Sequence, residues 1–497
     1  MDYVLGLDLG TGSIKGLLMN QKGQLVSSAS SDYGLSTPAP GFSQQDPADW
    51  IKGANAVIAK LKENVADLKE HLVGISFSGQ MHSLVLLDEN DQVIRPAILW
   101  NDVRTTKQCQ EIMEWAGKLV LKLTQNIALE GFTLPKILWV KENEPENFAK
   151  VHQFLLPKDY LGFYFTGNKQ MELSDAAGTL LLDVEKKVWA EELAEIFELP
   201  KNIFPPLVQS TDLIGTIRPA LAEKLGISST TKVFAGGADN ACAALGAGIV
   251  SEEIGLASIG TSGVFLSYEG EKKGHYQGKL HYFNHVLPNQ YYAMGVTIAA
   301  GQSLSWFKKT FAPEIQFNEL LQNVGKIPAG SDGLLFAPYI MGERTPHIDA
   351  KIRGSFLGMD ARHTRDHFAR AVLEGITFSL KDSQNLMTSV GKSFSKIISV
   401  GGGAKNPDWL QMQADIFNAE IFTLEAEEGP GLGAVMLAAL GLGWFETPQD
   451  CVDTFVKYRT QHYQPNEKNV ATYEKIYAIY QEVYGATKEI SHQLLEQ

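Results

Sequence analysis

The chain has 497 residues, 44% hydrophobic and 20% charged, a make-up that points to roughly two to four folded domains. Its formal net charge is -14 and it holds no Lys/Arg cluster, which argues against a nucleic-acid or anionic-membrane partner. A phosphate ligand is still allowed, because backbone N–H groups bind phosphate without net positive charge. The cysteines Cys109, Cys242 and Cys451 are scattered with no CxxC spacing, so neither a zinc site nor a disulfide framework is expected, and a reducing, cytoplasmic setting fits. The first residues show no basic n-region and no long apolar h-region, so no leader is expected.

Residues 4–9 (VLGLDL) read as a strand, Gly10-Thr11-Gly12-Ser13 as a turn, residues 14–19 as a second strand, and Lys22-Gly23 as the turn into a third over 24–28. The pattern GxxxxGK[ST] is absent and no helix follows the glycines, which excludes a Walker loop and a dinucleotide fingerprint. Asp46 is expected to cap a helix with Pro47 at its first position, running to about Asn64. Residues 73–78 form a strand ending in Gly79-Gln80-Met81-His82-Ser83, and residues 96–102 form an apolar run ending in Trp100-Asn101-Asp102. With Arg104 just beyond, the two ends gather Gln80, His82, Asn101, Asp102 and Arg104. Strand ends are where α/β proteins often place ligands, and this set suits a small polar one such as a sugar. Residues 105–230 read as mixed helix and loop, with an amphipathic helix at 136–141. Leu156-Pro157-Lys158-Asp159-Tyr160 and Ser174-Asp175-Ala176-Ala177-Gly178-Thr179 read as turn chemistry.

Val233-Phe234-Ala235-Gly236-Gly237-Ala238-Asp239-Asn240 then reads as strand, tight turn and the start of a small-residue helix. The glycines let backbone approach a ligand closely. Asp239, at a helix start among free N–H groups, reads as a catalytic base between two lobes or as an ordinary helix cap. Residues 255–268 repeat the opening pattern of strand, Gly-Thr turn and strand, with Ser258 at the place of Asp8. The chain therefore reads as two halves, the second beginning near residue 250. Two such turns facing each other would hold adjacent phosphates of one nucleotide by their amides. Asp8, the acid in only the first copy, suits a magnesium ion, directly or through water. Thr364 is expected to cap a long helix with Phe368, Val372, Leu373, Ile376 and Leu380 on one face. Residues 396–400 form a strand, followed by Gly401-Gly402-Gly403-Ala404 and a helix capped by Asn406, which suits a flat ligand such as adenine against the glycines. Residues 432–445 read as a buried core helix, and Tyr473, Tyr477, Tyr480 and Tyr484 as one packed helix face.

Together these motifs resemble the FGGY carbohydrate kinases, within the superfamily that shares the actin, hexokinase and Hsp70 ATPase fold. The resemblance covers nearly the whole chain and rests on two long signatures, residues 131–143 (GFTLPKILWVKEN) and 354–374 (GSFLGMDARHTRDHFARAVLE). It implies an α/β fold of two domains, a duplicated actin-like (ribonuclease H-like) ATPase unit with a cleft between the copies. The domains are expected at 1–249 and 250–497, with the terminal helix packing back on the first. ATP and magnesium are the implied cofactors. A sugar and ATP are the implied partners, with no nucleic acid or membrane, in a cytoplasmic homodimer.

By motif, Asp239 matches the family's catalytic base. Asp8, Gly10, Thr11, Gly12, Ser13 and Lys15 match the first phosphate loop, with Asp8 toward the metal. Gly260, Thr261 and Ser262 match the second phosphate loop. Gly401, Gly402, Gly403, Ala404 and Asn406 match the adenosine site. Gln80, Met81, His82, Trp100, Asn101, Asp102, Arg104 and Asn240 fall to the sugar. The sugar-site motifs, with Gly342-Glu343-Arg344-Thr345-Pro346-His347, imply xylulose as acceptor, with ribulose and gluconate as alternatives. Glycerol fits poorly, because glycerol kinases carry an Arg-Glu pair at Met81-His82. An actin-like nucleotide switch leaves the Met81-His82 and Trp100-Asn101-Asp102 ends without purpose, and the retained Asp8 and Asp239 speak against a non-catalytic sugar sensor. Two departures stand out: Ala238, where relatives often show a third glycine, and the order Gly12-Ser13, where close relatives read Ser-Gly.

Overall fold

The computed structural model describes residues 1–270 and 274–496. The chain divides into two compact units, residues 1–250, 282–292 and 428–456 in the first and 251–281, 293–427 and 457–497 in the second. The late segment counted with the first unit is therefore 428–456, and not the terminal helix. That helix, Glu467–Leu495, stays with the second unit: Tyr473 donates to Glu374 at 2.7 Å and Tyr477 to Asp382 at 2.6 Å. Its tyrosine face is packed, as the periodicity predicts.

In the first unit Tyr3–Leu9 pairs antiparallel with Ser13–Asn20, which pairs antiparallel with Leu25–Asp32. On its other side Tyr3–Leu9 runs parallel to Leu72–Gly79, which runs parallel to Lys232–Phe234. Leu5, Leu7, Leu9, Ile14 and Phe77 alternate onto the face covered by Trp50, Val57 and Leu61 of the helix Pro47–Asn64. Asp46 caps that helix, accepting from Ala48 N at 2.9 Å.

The second unit repeats the plan. Ile254–Ile259 pairs antiparallel with Gly263–Glu269 and parallel with Lys396–Gly401, which runs parallel to Glu420–Thr423. The repeat read in the sequence is thus a repeat of topology. Thr364 caps the helix Arg365–Thr388 with a reciprocal capping box to His367.

The residues expected as loops at 156–160 and 174–179 differ: they lie largely in the helices Pro157–Thr166 and Leu173–Ala177. Pro157 at a first helical position and Glu172 as N-cap explain this, since both start helices as readily as turns. Among the described residues no helix is long and apolar enough to cross a membrane.

Candidate active site

The first turn follows from its hairpin. Asp8 pairs with Lys15 and Leu9 with Ile14, and Gly10 N donates back to Ser13 O at 3.0 Å. The carbonyls of the turn are tied to the protein by side chains. Tyr33 donates to Gly10 O at 2.6 Å, and Gln45 Nε2 to Thr11 O at 2.5 Å. In a planar trans peptide the N–H points opposite to the C=O. Tying back Gly10 O and Thr11 O therefore aims the amides of Thr11 and Gly12 away from the protein, as an anion requires. Lys15 Nζ lies 2.5 Å from Glu428 Oε2, a half-exposed pair at the side of the turn. Burial pushes the Asp8 carboxyl up to about 6, against the Ser78 hydroxyl and Lys15, which pull it down.

The turn of the second unit reaches the same state by backbone alone. Gly260 N donates to Ser262 O at 2.9 Å, while Gly260 O accepts from Gly301 N at 2.8 Å and Thr261 O from Gln302 N at 3.0 Å. These donors open the helix Gly301–Phe311. Gly301 is required there, since a Cβ would lie 2.4 Å from Gly260 O. A cavity of about 370 Å³ adjoins the turn, lined by Gly260, Thr261, Gly402, Gly403, Asn406 and Trp409 among others. Ser262, Gly401 and Ala404 are not in its lining. Gly401 and Gly403 are glycines for packing, because a Cβ on either would press on Ile259 at 2.7 or 2.6 Å. The far wall, Leu304, Ser305, Phe317, Asn318 and Leu321, carries no motif and was not foreseen. Asn406 turns its side chain to Trp409 N at 2.9 Å as the cap of Pro407–Phe417.

At the strand ends of the first unit, side-chain direction separates two groups. Met81 Sδ sits 3.6 Å from both Asn240 Nδ2 and the Tyr292 hydroxyl. His82 stands at φ 67, with its ring against Phe132 at 4.8 Å. Its Nδ1 lies 2.6 Å from Gly178 O, and since a carbonyl only accepts, Nδ1 carries a proton. Trp100 is 46% exposed and donates from Nε1 to Thr11 Oγ1 at 2.9 Å, which joins this region to the first turn. Asn101 is exposed.

Gln80, Asp102 and Arg104 face the other way. Gln80 is buried, with Nε2 3.2 Å from Gln45 Oε1 and Oε1 accepting from Ser83. It braces the first turn from behind. Asp102 is bidentate to Arg104, with its closest contact at 2.6 Å, and also accepts from Ser43 N at 2.6 Å. The Arg104 guanidinium lies 3.8 Å over the Phe42 ring. Both side chains, next to Trp100 and Asn101 in the chain, are thus engaged by protein partners.

Asp239 opens the helix Asp239–Gly246 after Gly236, which must be glycine because its φ is 79 and a Cβ there would lie 2.1 Å from Phe77 O. Ala238 has φ -57 and ψ 145, an ordinary extended conformation, so the missing third glycine costs nothing. Asp239 Oδ1 accepts from Asn240 N at 2.7 Å and Asn240 Nδ2 at 2.9 Å. Surrounding protein pushes its carboxyl up to about 7, helped by the charge of Asp8 and opposed by the Asn240 donors. Such a group is poised to take a proton near neutral pH. The structure thus brings Asp239, Asn240, Met81 and Asp8 into one neighbourhood. Tyr33, Gln45 and Tyr292 belong to it as well, and no motif marks them.

Residues 3–246 match the model of the N-terminal domain of the FGGY family of carbohydrate kinases, and residues 255–442 match that of its C-terminal domain. A protein named xylulose kinase from Lactococcus lactis is 56% identical over 497 residues, 100% of this chain and 99% of that protein. Among solved structures, a ligand-bound xylulose kinase from Lactobacillus acidophilus superposes with TM-score 0.93 at 29% identity, covering 98% of this chain and 99% of that one. A gluconate kinase from the same organism gives TM-score 0.93 at 30% identity, covering 98% of each chain. The expected fold class, two α/β units of actin-like ATPase type, agrees with these likenesses.

Proposed function

We propose that this chain, which belongs to the FGGY family of carbohydrate kinases, transfers the γ-phosphoryl group of ATP to a hydroxyl of xylulose, with Asp239 as general base. One observation carries the chemical part: a carboxyl pushed up to about 7 beside Asn240 and Met81, within the electrostatic reach of Asp8. The sugar identity is supported by the L. lactis relative, 56% identical over the full length.

The step is an in-line displacement. The sugar oxygen forms its bond to the γ-phosphorus as the bond from that phosphorus to the β,γ-bridging oxygen breaks, and ADP leaves. The hydroxyl proton passes to Asp239, which need be basic only as that proton becomes acidic in the transition state. Met81, His82, Trp100, Asn101 and Asn240 orient the sugar. The turns at Gly10-Thr11 and Gly260-Thr261 offer amides to phosphate oxygens, and the cavity beside Gly402 and Gly403 takes the nucleoside.

A magnesium ion suits the first unit's chemistry. Asp8 is a hard oxygen donor whose negative charge is disfavoured where it stands, and magnesium asks for only one or two protein carboxylates beside substrate phosphates. When bound, the ion would neutralise phosphate charge, with Asp8 holding it directly or through water.

Two measurements test this reading. ADP release is followed with xylulose, ribulose, gluconate and glycerol, and xylulose is expected to give the highest kcat/KM. The gluconate kinase at TM-score 0.93 makes gluconate the rival, and preference for it would overturn the sugar while leaving the kinase. Asp239→Ala is expected to lose at least about a hundredfold in kcat while calorimetry shows ATP binding retained. Turnover close to wild type would remove Asp239 from the role of base.

A further inference from the structure

Behind the turn that carries Asp239 lies a buried charged group that the proposed chemistry does not use. Lys158, Glu172, Ser174 and Asp175 are fully buried, and Asp159 and Ser210 nearly so. Lys158 Nζ lies 2.7 Å from Asp159, 3.1 Å from Asp175 and 3.6 Å from Glu172. One lysine among three acids leaves excess negative charge, and burial shifts it onto protons, raising the Asp159 and Asp175 carboxyls.

Glu172 is the centre of the hydrogen bonding. Its Oε1 accepts from Ser174 N at 2.8 Å and Ser210 Oγ at 2.6 Å, and its Oε2 from Ser174 Oγ at 2.6 Å and Asp175 N at 3.3 Å. The single proton of the Ser174 hydroxyl is thereby committed to Glu172, which leaves its oxygen as an acceptor for Ala238 N at 2.9 Å. On the other arm Ser210, held by Glu172, accepts Gly236 N on its carbonyl at 3.0 Å. The two arms fix residues 236 and 238, on either side of Gly237 and directly before Asp239.

We infer that Glu172 is a positioning residue that, through Ser174 and Ser210, sets the turn at 236–238 and so aims the Asp239 carboxylate at its proton. The inference rests on the reading of Asp239 as the base. Only an acceptor-only group satisfies this arrangement. A glutamine at 172 presents one acceptor oxygen and one donor nitrogen to four donors. The Ser174 proton would then turn toward the Ala238 N–H, donor against donor, and the turn would shift. Lys158 makes the charge of Glu172 tolerable where both side chains are fully buried.

The experiment compares Glu172→Gln, Ser174→Ala, Ser210→Ala and Asp239→Asn with wild type. Leu221→Ala, a core truncation on the helix Pro219–Leu225, serves as a control that lowers melting temperature without touching the turn. Glu172→Gln and Ser174→Ala are each expected to lower kcat by about ten- to a hundredfold, the usual result of misplacing a catalytic group by an ångström, with the KM for ATP little changed. They are also expected to move the acidic limb of kcat/KM to lower pH, because a loosened turn admits water to Asp239. Ser210→Ala should do the same to a lesser degree, and Leu221→Ala should leave the limb in place. If Glu172→Gln does not fold, Ser174→Ala decides. A folded Ser174→Ala enzyme with wild-type kcat and an unmoved limb overturns the inference, provided Asp239→Asn is inactive. An active Asp239→Asn enzyme overturns the base reading instead.

Discussion

Asp239 holds its proton more tightly than an ordinary carboxylate, and desolvation by the surrounding protein does most of this. Its carboxyl is raised from 3.8 to about 7, with the Asp8 charge adding to burial and two Asn240 donors working against it. Turnover needs the ionised form, so kcat/KM for the sugar is expected to fall about tenfold per pH unit below a limb near 7. The same shift has a cost in stability. Between the unfolded value of 3.8 and the folded value of about 7 the native state keeps a proton that the unfolded chain has lost, so stability declines as pH rises through this window. Asp239→Asn retains an oxygen for both Asn240 donors but has no charge to bury. It is expected to melt above wild type at pH 8 and level with it near pH 4, with a difference of roughly 4 kcal/mol at most. Equal melting temperatures at both pH values would show that the native carboxyl is not raised. At this scale the sequence located residues better than it oriented them. Gln80, Asp102 and Arg104 stand among the expected sugar groups, but the turn of each side chain depends on partners such as Gln45, Ser43 and Phe42, which are far away in sequence.

At the scale of elements, the helix Pro430–Gly441 packs closely on Asp239–Gly246 and on the strand Tyr3–Leu9 within the first unit. Small residues make the approach possible. A Cβ on Gly433 would lie 2.0 Å from Cys242 O, one on Gly246 2.9 Å from Gly429 O, and one on Gly6 2.5 Å from Gly431 O. Gly433→Ala must therefore push apart the two helices, one of which begins with Asp239. The expected loss is about 1–3 kcal/mol of stability by denaturant melts, accompanied by a fall in kcat, since overpacking is relieved by backbone shifts. A Gly433→Ala protein as stable as wild type would show that the contact has room. The helices capped by Asp46, Thr364 and Asn406 were legible because a cap, a proline and an apolar period are local signals. Which unit a helix joins is not local. The all-apolar run near 432–445 announces burial but not against what, so its packing on the first unit appears only in the fold.

Across the whole molecule the two units share one plan and solve one problem differently. Each begins with a hairpin whose Gly-Thr turn has its carbonyls tied back. The glycines and the strand pattern of both turns were readable, because close backbone approach demands those residue types. What ties the carbonyls was not, because in the first unit the donors are Tyr33 and Gln45, more than twenty residues from the turn with no motif around them. In the second unit the donors are the backbone amides of Gly301 and Gln302, so no side chain makes the bond, although position 301 has room only for glycine. This difference predicts unequal sensitivity to side-chain change. Gln45→Leu keeps the shape of the residue but removes the donor to Thr11 O and strands Trp50 Nε1, which donates to Gln45 Oε1 at 3.0 Å. The first turn can then rotate its peptides, and its amides lose their aim at phosphate. Gln302→Ala removes an exposed side chain and keeps the amide that bonds Thr261 O. Gln45→Leu is expected to lower kcat/KM for ATP by about tenfold or more, with Tyr33→Phe in the same direction, and Gln302→Ala to lose far less. Steady-state kinetics with ATP varied at saturating sugar measure all three. Equal losses for Gln45→Leu and Gln302→Ala would mean that side chains do not set the first turn, and that its hairpin alone holds the amides in place.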